Sequence, residues 1–118
     1  MKKTTGNIGE KLARKYAKKQ GMKIIEKNYR ALRGEIDIIA VEDDQLVFIE
    51  VKTNKQGNKV PPENRVNSAK QKQIGKVAQM YLQQSGKTGM DCRFDVIGVV
   101  LSENGGHEIS HIKNAFWL

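Results

Sequence analysis

This sequence of 118 residues contains a single cysteine, two prolines and no long hydrophobic run. Because Cys92 has no partner, an internal disulfide is excluded, and without a Cys-x-x-Cys motif or a Cys/His cluster no zinc site is expected. Polar residues follow the initial Met-Lys-Lys, so we expect neither a signal peptide nor a membrane span. These absences predict a cytoplasmic protein in a reducing compartment.

Acidic side chains are also few. Thirteen Asp and Glu stand against 21 Lys and Arg, which gives a net charge of +8 and a pI near 9.7. Eleven of the basic residues and only two acids lie in residues 1–33. This balance is typical of proteins that bind a polyanion such as nucleic acid. Because most of the basic residues are lysines, it favours attraction to backbone phosphates over bidentate reading of bases.

The length fits one compact domain with one core. Periodicity and turn residues predict the element order α-β-β-β-α-β-β, with helices over residues 6–20 and 68–85 and strands over 22–32, 35–41, 46–53, 92–101 and 108–112. A Ser-x-x-Gln capping box is expected to start the second helix at Ser68, and Gly86 to end it. The segment 54–67 has no periodicity and is interpreted as a functional loop.

The hairpin formed by the second and third strands contains four charged residues at regular spacing. If the chain turns midway between residues 43 and 44, opposed residues have numbers that sum to 87, so Asp37 faces Glu50 and Glu35 faces Lys52. Because side chains alternate along a strand, these four groups share one face. The other face is predicted to be core and contains Ile36, Ile38, Ala40, Val47, Ile49 and Val51.

Two directly opposed carboxylates repel each other unless a cation lies between them. Carboxylate oxygens together with water and phosphate are the ligands that Mg²⁺ prefers, and Mn²⁺ is similar enough to replace it. A metal held by Asp37 and Glu50 could polarise a phosphodiester and generate a hydroxide nucleophile, while Lys52 stabilises the developing charge. Glu10 borders the buried stripe of the first helix and is a further candidate ligand or water-holding residue.

A purely structural interpretation of these residues stays open. Lys52 and Glu35 could form a cross-strand ion pair, and Asp37 and Glu50 could be solvated acids on the wet face of the hairpin. Taken alone, the pattern D-x₁₂-E-x-K is a weak signal. The acids nevertheless share their face with Ile39, Val41, Leu46 and Phe48. That face is therefore expected to be partly covered, where an unpaired acid is costly without a function.

As a set, these motifs resemble the YraN family of small bacterial proteins, which in turn look like the PD-(D/E)xK nuclease superfamily and its archaeal Holliday junction resolvases. Ile36 stands where the superfamily's name places proline. The resemblance covers most of the chain and includes Gly9-Glu10, Asn28-Tyr29-Arg30, Gly34-Glu35-Ile36-Asp37, Phe48-Ile49-Glu50-Val51-Lys52-Thr53, Lys70-Gln71, Arg93-Phe94-Asp95-Val96 and Asn114-Ala115-Phe116.

The resemblance implies one restriction-endonuclease-like α/β domain over residues 1–118, with a mixed sheet flanked by helices. It implies Asp37 and Glu50 as metal ligands, the main-chain carbonyl of Val51 as a third, Lys52 as the catalytic lysine and Glu10 as the acidic residue of the first helix. The expected function is then a Mg²⁺- or Mn²⁺-dependent endonuclease that cuts DNA, including branched or junction DNA, and a homodimer is a further expectation. The alternative is an accessory protein that keeps the fold and binds nucleic acid without cutting it.

Several side chains are candidates for contact with nucleic acid, namely Arg14, Lys18, Arg30, Arg33, Arg65, Lys70 and Gln71. For Arg65, Lys70 and Gln71 an ordinary solvated surface is an equal alternative. Other residues favour structural interpretations. Cys92 is interpreted as a small apolar residue and Asp95 as structural. His107 and His111, which flank a strand, are interpreted as surface or hairpin residues, and the Phe116-Trp117 tail as closing the core or docking a partner.

Overall fold

The protein is described by a computed structural model over residues 5–56 and 66–116. Its elements are α1 (Thr5–Lys19), β1 (Lys23–Ala31), β2 (Gly34–Glu42), β3 (Gln45–Lys55), α2 (Ser68–Ser85), β4 (Asp91–Leu101) and β5 (His107–Ile112). The strands form one sheet in the order β1-β2-β3-β4-β5, in which only β3 and β4 are parallel. The predicted α/β class, element order and mixed sheet are therefore confirmed.

The two helices cover opposite faces of the sheet. The buried residues of α1 are small, so this helix lies close to β3 and β4. The buried residues of α2 recur at the spacing of one helix face and pack on β1 and β2: Ile74, Val77, Ala78 and Tyr81. Arg65, Trp117 and most of the predicted functional loop lie outside the described residues. Within the described ranges, no helix is long and apolar enough to cross a membrane.

The predicted capping box at the start of α2 is wrong. The cap is Asn67, whose side-chain oxygen accepts a 2.9 Å hydrogen bond from the main-chain N–H of Lys70. Ser68 is already helical, and the Gln71 amide donates to the carbonyl oxygen of Val66 at 3.0 Å. Asparagine is as good an N-cap as serine, and Asn67, which precedes Ser68, occupies the N-cap position. Gly86 ends the helix in a left-handed conformation, with φ of 73°, as predicted.

The pairing of the hairpin is confirmed along most of its length. Opposed residues sum to 87 from the pair Glu42 and Gln45 to the pair Ile38 and Ile49. The turn residues at 43–44 both have positive φ, 49° and 65°, which is the geometry of a tight two-residue hairpin turn. The ladder ends at Ile38 and Ile49, so the positions predicted to pair Asp37 with Glu50 and Glu35 with Lys52 lie beyond it.

The assignment of the hairpin's core face is correct except for Ile36. The other five residues lie in the cluster beneath α1, whereas Ile36 packs with Ile39 in the cluster beneath α2. Because residues 36 and 39 point to the same side, the strict alternation of β2 is broken at Asp37. Opposite this break, Asn28 of β1 has a positive φ of 51°. The face shared with the acids is also more than partly covered, since Phe48 is fully buried there.

On the α1 side of the sheet, Asp95 is fully buried within a polar network. Its carboxylate accepts hydrogen bonds from Arg93 Nε at 2.9 Å, the main-chain N–H of Asn114 at 3.1 Å and His111 Nε2 at 2.7 Å. The predicted structural role of Asp95 agrees with these contacts. Of the two alternatives for His111, the hairpin position is confirmed, and the pairing of β5 with β4 also brings this residue to a carboxylate distant in sequence.

We expect Asp95→Asn to lower the free energy of unfolding at pH 7 by about 3 kcal/mol, the typical cost of breaking a buried ion pair. Burial would raise the pKa of Asp95, but hydrogen bonds from His111 and Arg93 hold it below its usual range. A carboxyl with a lowered pKa stabilises the fold above the unfolded pKa, near 3.9, and this stabilisation disappears as pH falls through the folded pKa. The destabilisation should therefore shrink in acid.

Chemical denaturation from pH 7 down to about pH 3 measures this dependence. Asp91→Asn is the matched control, because Asp91 is exposed on the same strand and its substitution should leave stability almost unchanged. Equal effects of the two substitutions would contradict the structural role of Asp95.

Candidate active site

The predicted acids Asp37 and Glu50 lie together where β2 and β3 separate. Both are buried, with 8% and 6% of their surfaces exposed. The Oδ2 atom of Asp37 accepts a 2.7 Å hydrogen bond from the main-chain N–H of Val51. A side chain thus takes an N–H group of β3 at the position where the main-chain ladder between β2 and β3 has ended. The two carboxylates therefore lie together at the same place where β2 and β3 stop pairing.

The predicted repulsion between the two carboxylates appears in the ionisation of Asp37. Burial raises the pKa of Asp37 to about 9, assisted by a hydrogen bond to Glu50 and by the negative charges of Glu50 and Glu10. The Val51 N–H acts in the opposite direction but does not compensate. In the absence of a metal, the pair of carboxyls therefore retains a proton at neutral pH, because two adjacent buried carboxylates do not both ionise without a cation.

Glu50 also lacks a complete set of partners. Its Oε2 atom is buried and accepts no hydrogen bond of acceptable geometry from the described residues. The ammonium of Lys70, in the first turn of α2, lies 3.3 Å from this oxygen. The distance makes an ion pair, but the two groups are not aligned as a hydrogen bond. Lys70 is a predicted contact for nucleic acid, but the sequence gives no signal for its pairing with Glu50.

The donor set fits a hard divalent cation with few protein ligands. In the described part of the chain, no three Asp, Glu, His or Cys side chains gather closely enough to hold a metal by themselves. Asp37 and Glu50 would supply two carboxylates, which suits Mg²⁺ because this ion keeps several water ligands and also accepts phosphate oxygens. The buried Oε2 of Glu50, which accepts no aligned hydrogen bond, is consistent with such a cation. The ligand roles of Glu10 and of the Val51 carbonyl stay predictions.

Glu10 is held at the edge of this site by Asn28, a residue to which the sequence motifs assign no role. The side-chain nitrogen of Asn28 donates to Glu10 at 2.7 Å and to Glu35 at 2.8 Å. The available signal was an asparagine inside a predicted strand, where this residue is uncommon. Gly9 brings the helix close to β3, because a Cβ at this position would overlap with the side chain of Thr53.

Lys52 is half-buried and follows Glu50 by two residues on β3, so the two side chains share a face. The cross-strand ion pair considered for Lys52 and Glu35 is not formed. Glu35 instead accepts from Asn28 and lies 3.6 Å from the Nε atom of Arg30. Among the described residues Lys52 has no ion-pair partner, so the competing structural role is removed and the catalytic assignment stays a prediction.

Basic side chains surround the carboxylates on two sides. On α1, Arg14 and Lys18 follow Glu10 at intervals of four residues and extend along the same helix face. On the other side, a cleft of about 570 Å³ lies between the β1–β2 turn and α2; we call it the cationic cleft because Arg30, Arg33 and Lys70 line it. Gln71 does not line this cleft, and its amide binds the main chain.

Comparisons with known proteins cover this whole site. The model of the uncharacterised protein family UPF0102 matches residues 9–99. A UPF0102 protein of Caldanaerobacter subterraneus subsp. tengcongensis is 44% identical over 117 residues, which are 98% of this chain and 96% of that protein. The UPF0102 protein of Alkaliphilus oremlandii is 46% identical over 118 residues, which are 98% of this chain and 100% of that protein. The UPF0102 protein of Pelobacter propionicus is 41% identical over 118 residues, which are 98% of this chain and 84% of that protein.

We expect Asp37→Asn to stabilise the metal-free protein at pH 8 by about 1 kcal/mol or more, within the range for a buried group without proper partners. A carboxyl with a raised folded pKa destabilises the fold between its unfolded pKa, near 3.9, and its folded pKa, near 9. Wild-type stability should therefore fall as pH rises through this interval. Asparagine removes this penalty and keeps an acceptor for the Val51 N–H.

Denaturation with a chelator present, between pH 5 and pH 8, checks the sign. Asp44→Asn is the control, because Asp44 is exposed in the turn of the same hairpin and asparagine tolerates its positive φ. A loss of stability in Asp37→Asn at pH 8 would contradict the ionisation described above.

Proposed function

This chain belongs to the uncharacterised protein family UPF0102, the YraN family that its motifs resemble. From the geometry of the site, we propose that it is a Mg²⁺-dependent phosphodiesterase that cuts DNA. The observation that supports this most is the pair of buried carboxylates, Asp37 and Glu50, at the opening between β2 and β3. Structural acids in a core are normally hydrogen-bonded, as Asp95 is. Perturbed acids with unsatisfied oxygens are instead typical of functional sites.

The side chains have distinct roles in this proposal. Asp37 and Glu50 would hold the ion, and the Val51 N–H orients the Asp37 carboxylate toward it. When bound, Mg²⁺ supplies Lewis-acid stabilisation of the phosphate and a more acidic water. Lys52, on the same face as Glu50, places a positive charge where the phosphorane becomes negative. Glu10, held by Asn28, is an acceptor for a proton from the attacking water.

The substrate class follows from charge. The net charge of +8 and the basic side chains on both sides of the carboxylates favour a long polyanion over a small phosphate ester. DNA, and branched or junction DNA in particular, is proposed on the resemblance to the resolvases. Mn²⁺ should replace Mg²⁺ because both accept oxygen ligands. The homodimer stays a prediction, which the molar mass from light scattering would check.

We expect the purified chain to cleave DNA with Mg²⁺ or Mn²⁺ and to lose activity with a chelator. Flap, junction, single-stranded and double-stranded DNA should be compared on denaturing gels. Glu50→Gln and Lys52→Met should each lower the rate by about 10²-fold or more, the typical loss when a group that stabilises the transition state is removed. Each removes a single charge from the proposed chemistry.

Lys55→Met is the matched control, because Lys55 is exposed on the same strand, three residues beyond Lys52. Its activity should equal that of the wild type. Cleavage that is the same in the wild type and Glu50→Gln would identify a contaminating nuclease and contradict the proposal.

A second candidate is a protein that binds nucleic acid without cutting it. The observation that favours it is the ion pair between Lys70 and Glu50, since this lysine supplies a positive charge beside the carboxylates without any metal. In this candidate the basic surface and the cationic cleft would bind phosphates, and the buried acids would have no role in catalysis.

Binding measurements separate the two candidates. Under both candidate functions, the logarithm of the DNA affinity should fall linearly with the logarithm of the salt concentration. The double variant Arg30→Gln/Arg33→Gln should reduce this slope by about one for each lost phosphate contact. Fluorescence anisotropy measures both quantities. Lys23→Gln, at the other end of β1, is the control for loss of charge. Salt-dependent binding that persists in Asp37→Ala, together with no cleavage by the wild type, would favour the second candidate.

A further inference from the structure

Lys70 occupies a position that helix stability does not explain. It lies in the first turn of α2, where its main-chain N–H is bound by the Asn67 cap and where no acidic residue is present. The positive end of the helix dipole disfavours a cation at this position. The only ion-pair partner of Lys70 among the described residues is Glu50. The contact with Glu50 is therefore the feature of this lysine that needs an explanation.

The two partners of this ion pair differ in their freedom to move. The Glu50 side chain is 6% exposed and is enclosed by the core, whereas that of Lys70 is 44% exposed. Glu50 Oε2 accepts no aligned hydrogen bond, so geometry does not lock the ammonium in place. A lysine ends in a compact charge on a flexible four-carbon stem. Lys70 can thus leave the pair while Glu50 cannot follow.

A second binding place for the ammonium lies beside the first. Lys70 also lines the cationic cleft, together with Arg30 and Arg33. Arg33 is exposed at the turn, and Arg30 is itself 3.6 Å from Glu35. A phosphate in this cleft would meet three cationic side chains, one of which is the cation now placed on Glu50, and one carboxylate, that of Glu35, which already has Arg30 beside it. The cleft and the carboxylates therefore share one positive charge.

We propose that Lys70 couples metal binding to nucleic-acid binding. In the free protein its ammonium lies on Glu50 and competes with a divalent cation for that carboxylate. A nucleic-acid phosphate in the cationic cleft attracts the ammonium and leaves Glu50 to the metal. Coupling between two ligands is reciprocal, so metal must strengthen nucleic-acid binding by the same factor. This inference rests on the proposed function and specifies how its site is regulated.

The first measurement is Mn²⁺ binding to the full chain without DNA. The electron paramagnetic resonance signal of free Mn²⁺ reports how much of the ion is bound. Lys70→Met should bind Mn²⁺ about 5-fold or more tightly than the wild type, the lower end of typical coupling between sites. Lys72→Met is the matched control: it removes the same charge from an exposed position on the same helix and should bind as the wild type does. Lys70→Gln should reproduce the effect, and thermal melts verify that each variant is folded.

The second measurement is the reciprocal one. The anisotropy of a short fluorescein-labelled DNA duplex gives the DNA affinity with and without Mn²⁺, and gels of the same samples monitor cleavage. Mn²⁺ should raise the affinity of the wild type by a factor about 5-fold or more larger than the factor by which it raises that of Lys70→Met, where only direct contact between metal and phosphate remains.

The outcomes distinguish the inference from the proposed function. If the wild type binds Mn²⁺ and Glu50→Gln does not, but Lys70→Met binds with unchanged or weaker affinity, the coupling is wrong and the metal site stands. If neither the wild type nor Lys70→Met binds Mn²⁺, with or without DNA, both the coupling and the metal-dependent function are wrong. Tighter Mn²⁺ binding in Lys70→Met, together with a smaller effect of Mn²⁺ on its DNA affinity, supports the coupling.

Discussion

The hydrogen bond from the Val51 N–H to the Asp37 carboxylate is the interaction on which the site depends. It occurs just beyond the last pair of the β2–β3 ladder, where the Val51 N–H has no main-chain partner on β2 and is bound by the Asp37 side chain instead. The strands separate there, Ile36 packs on the side of α2, and Asp37 and Glu50 are buried together. A ladder continued by main-chain bonds alone would give Asp37 no such anchor.

Two buried aspartates of this chain show opposite electrostatics for one physical reason. Asp95 is surrounded by donors from Arg93, His111 and Asn114, and its pKa is lowered. Asp37 has one main-chain donor and a carboxylate neighbour, and its pKa is raised. Burial penalises both charges, and the neighbours decide the outcome: donors and a guanidinium surround Asp95, whereas carboxylates face Asp37. The contrast supports a stabilising role for Asp95 and a functional role for Asp37.

Much of the fold could be predicted because its signals are local. Helical and strand periodicities placed every element to within about two residues, and turn residues at 43–44 defined the hairpin register. The predictions fail where a contact between elements distant in sequence overrides a local rule. Ile36 departs from alternation at the Asp37 break, and the contact of His111 with Asp95, which the sequence did not predict, arises because β5 pairs with β4. Asn67 replaced Ser68 as the cap because both residues can fill that position.

The sequence by itself predicted that Asp37 and Glu50 converge, from the two-residue turn and the alternation of strands, although the ladder ends and the alternation breaks just before these residues. Only the tertiary structure decided which groups surround them. Lys70 lies on Glu50, and Asn28 joins Glu10 to Glu35, through contacts between elements remote in sequence. Periodicity defines the buried face of a helix, but not which strand residue its first turn will meet. That depends on how the helices pack across the two faces of the sheet.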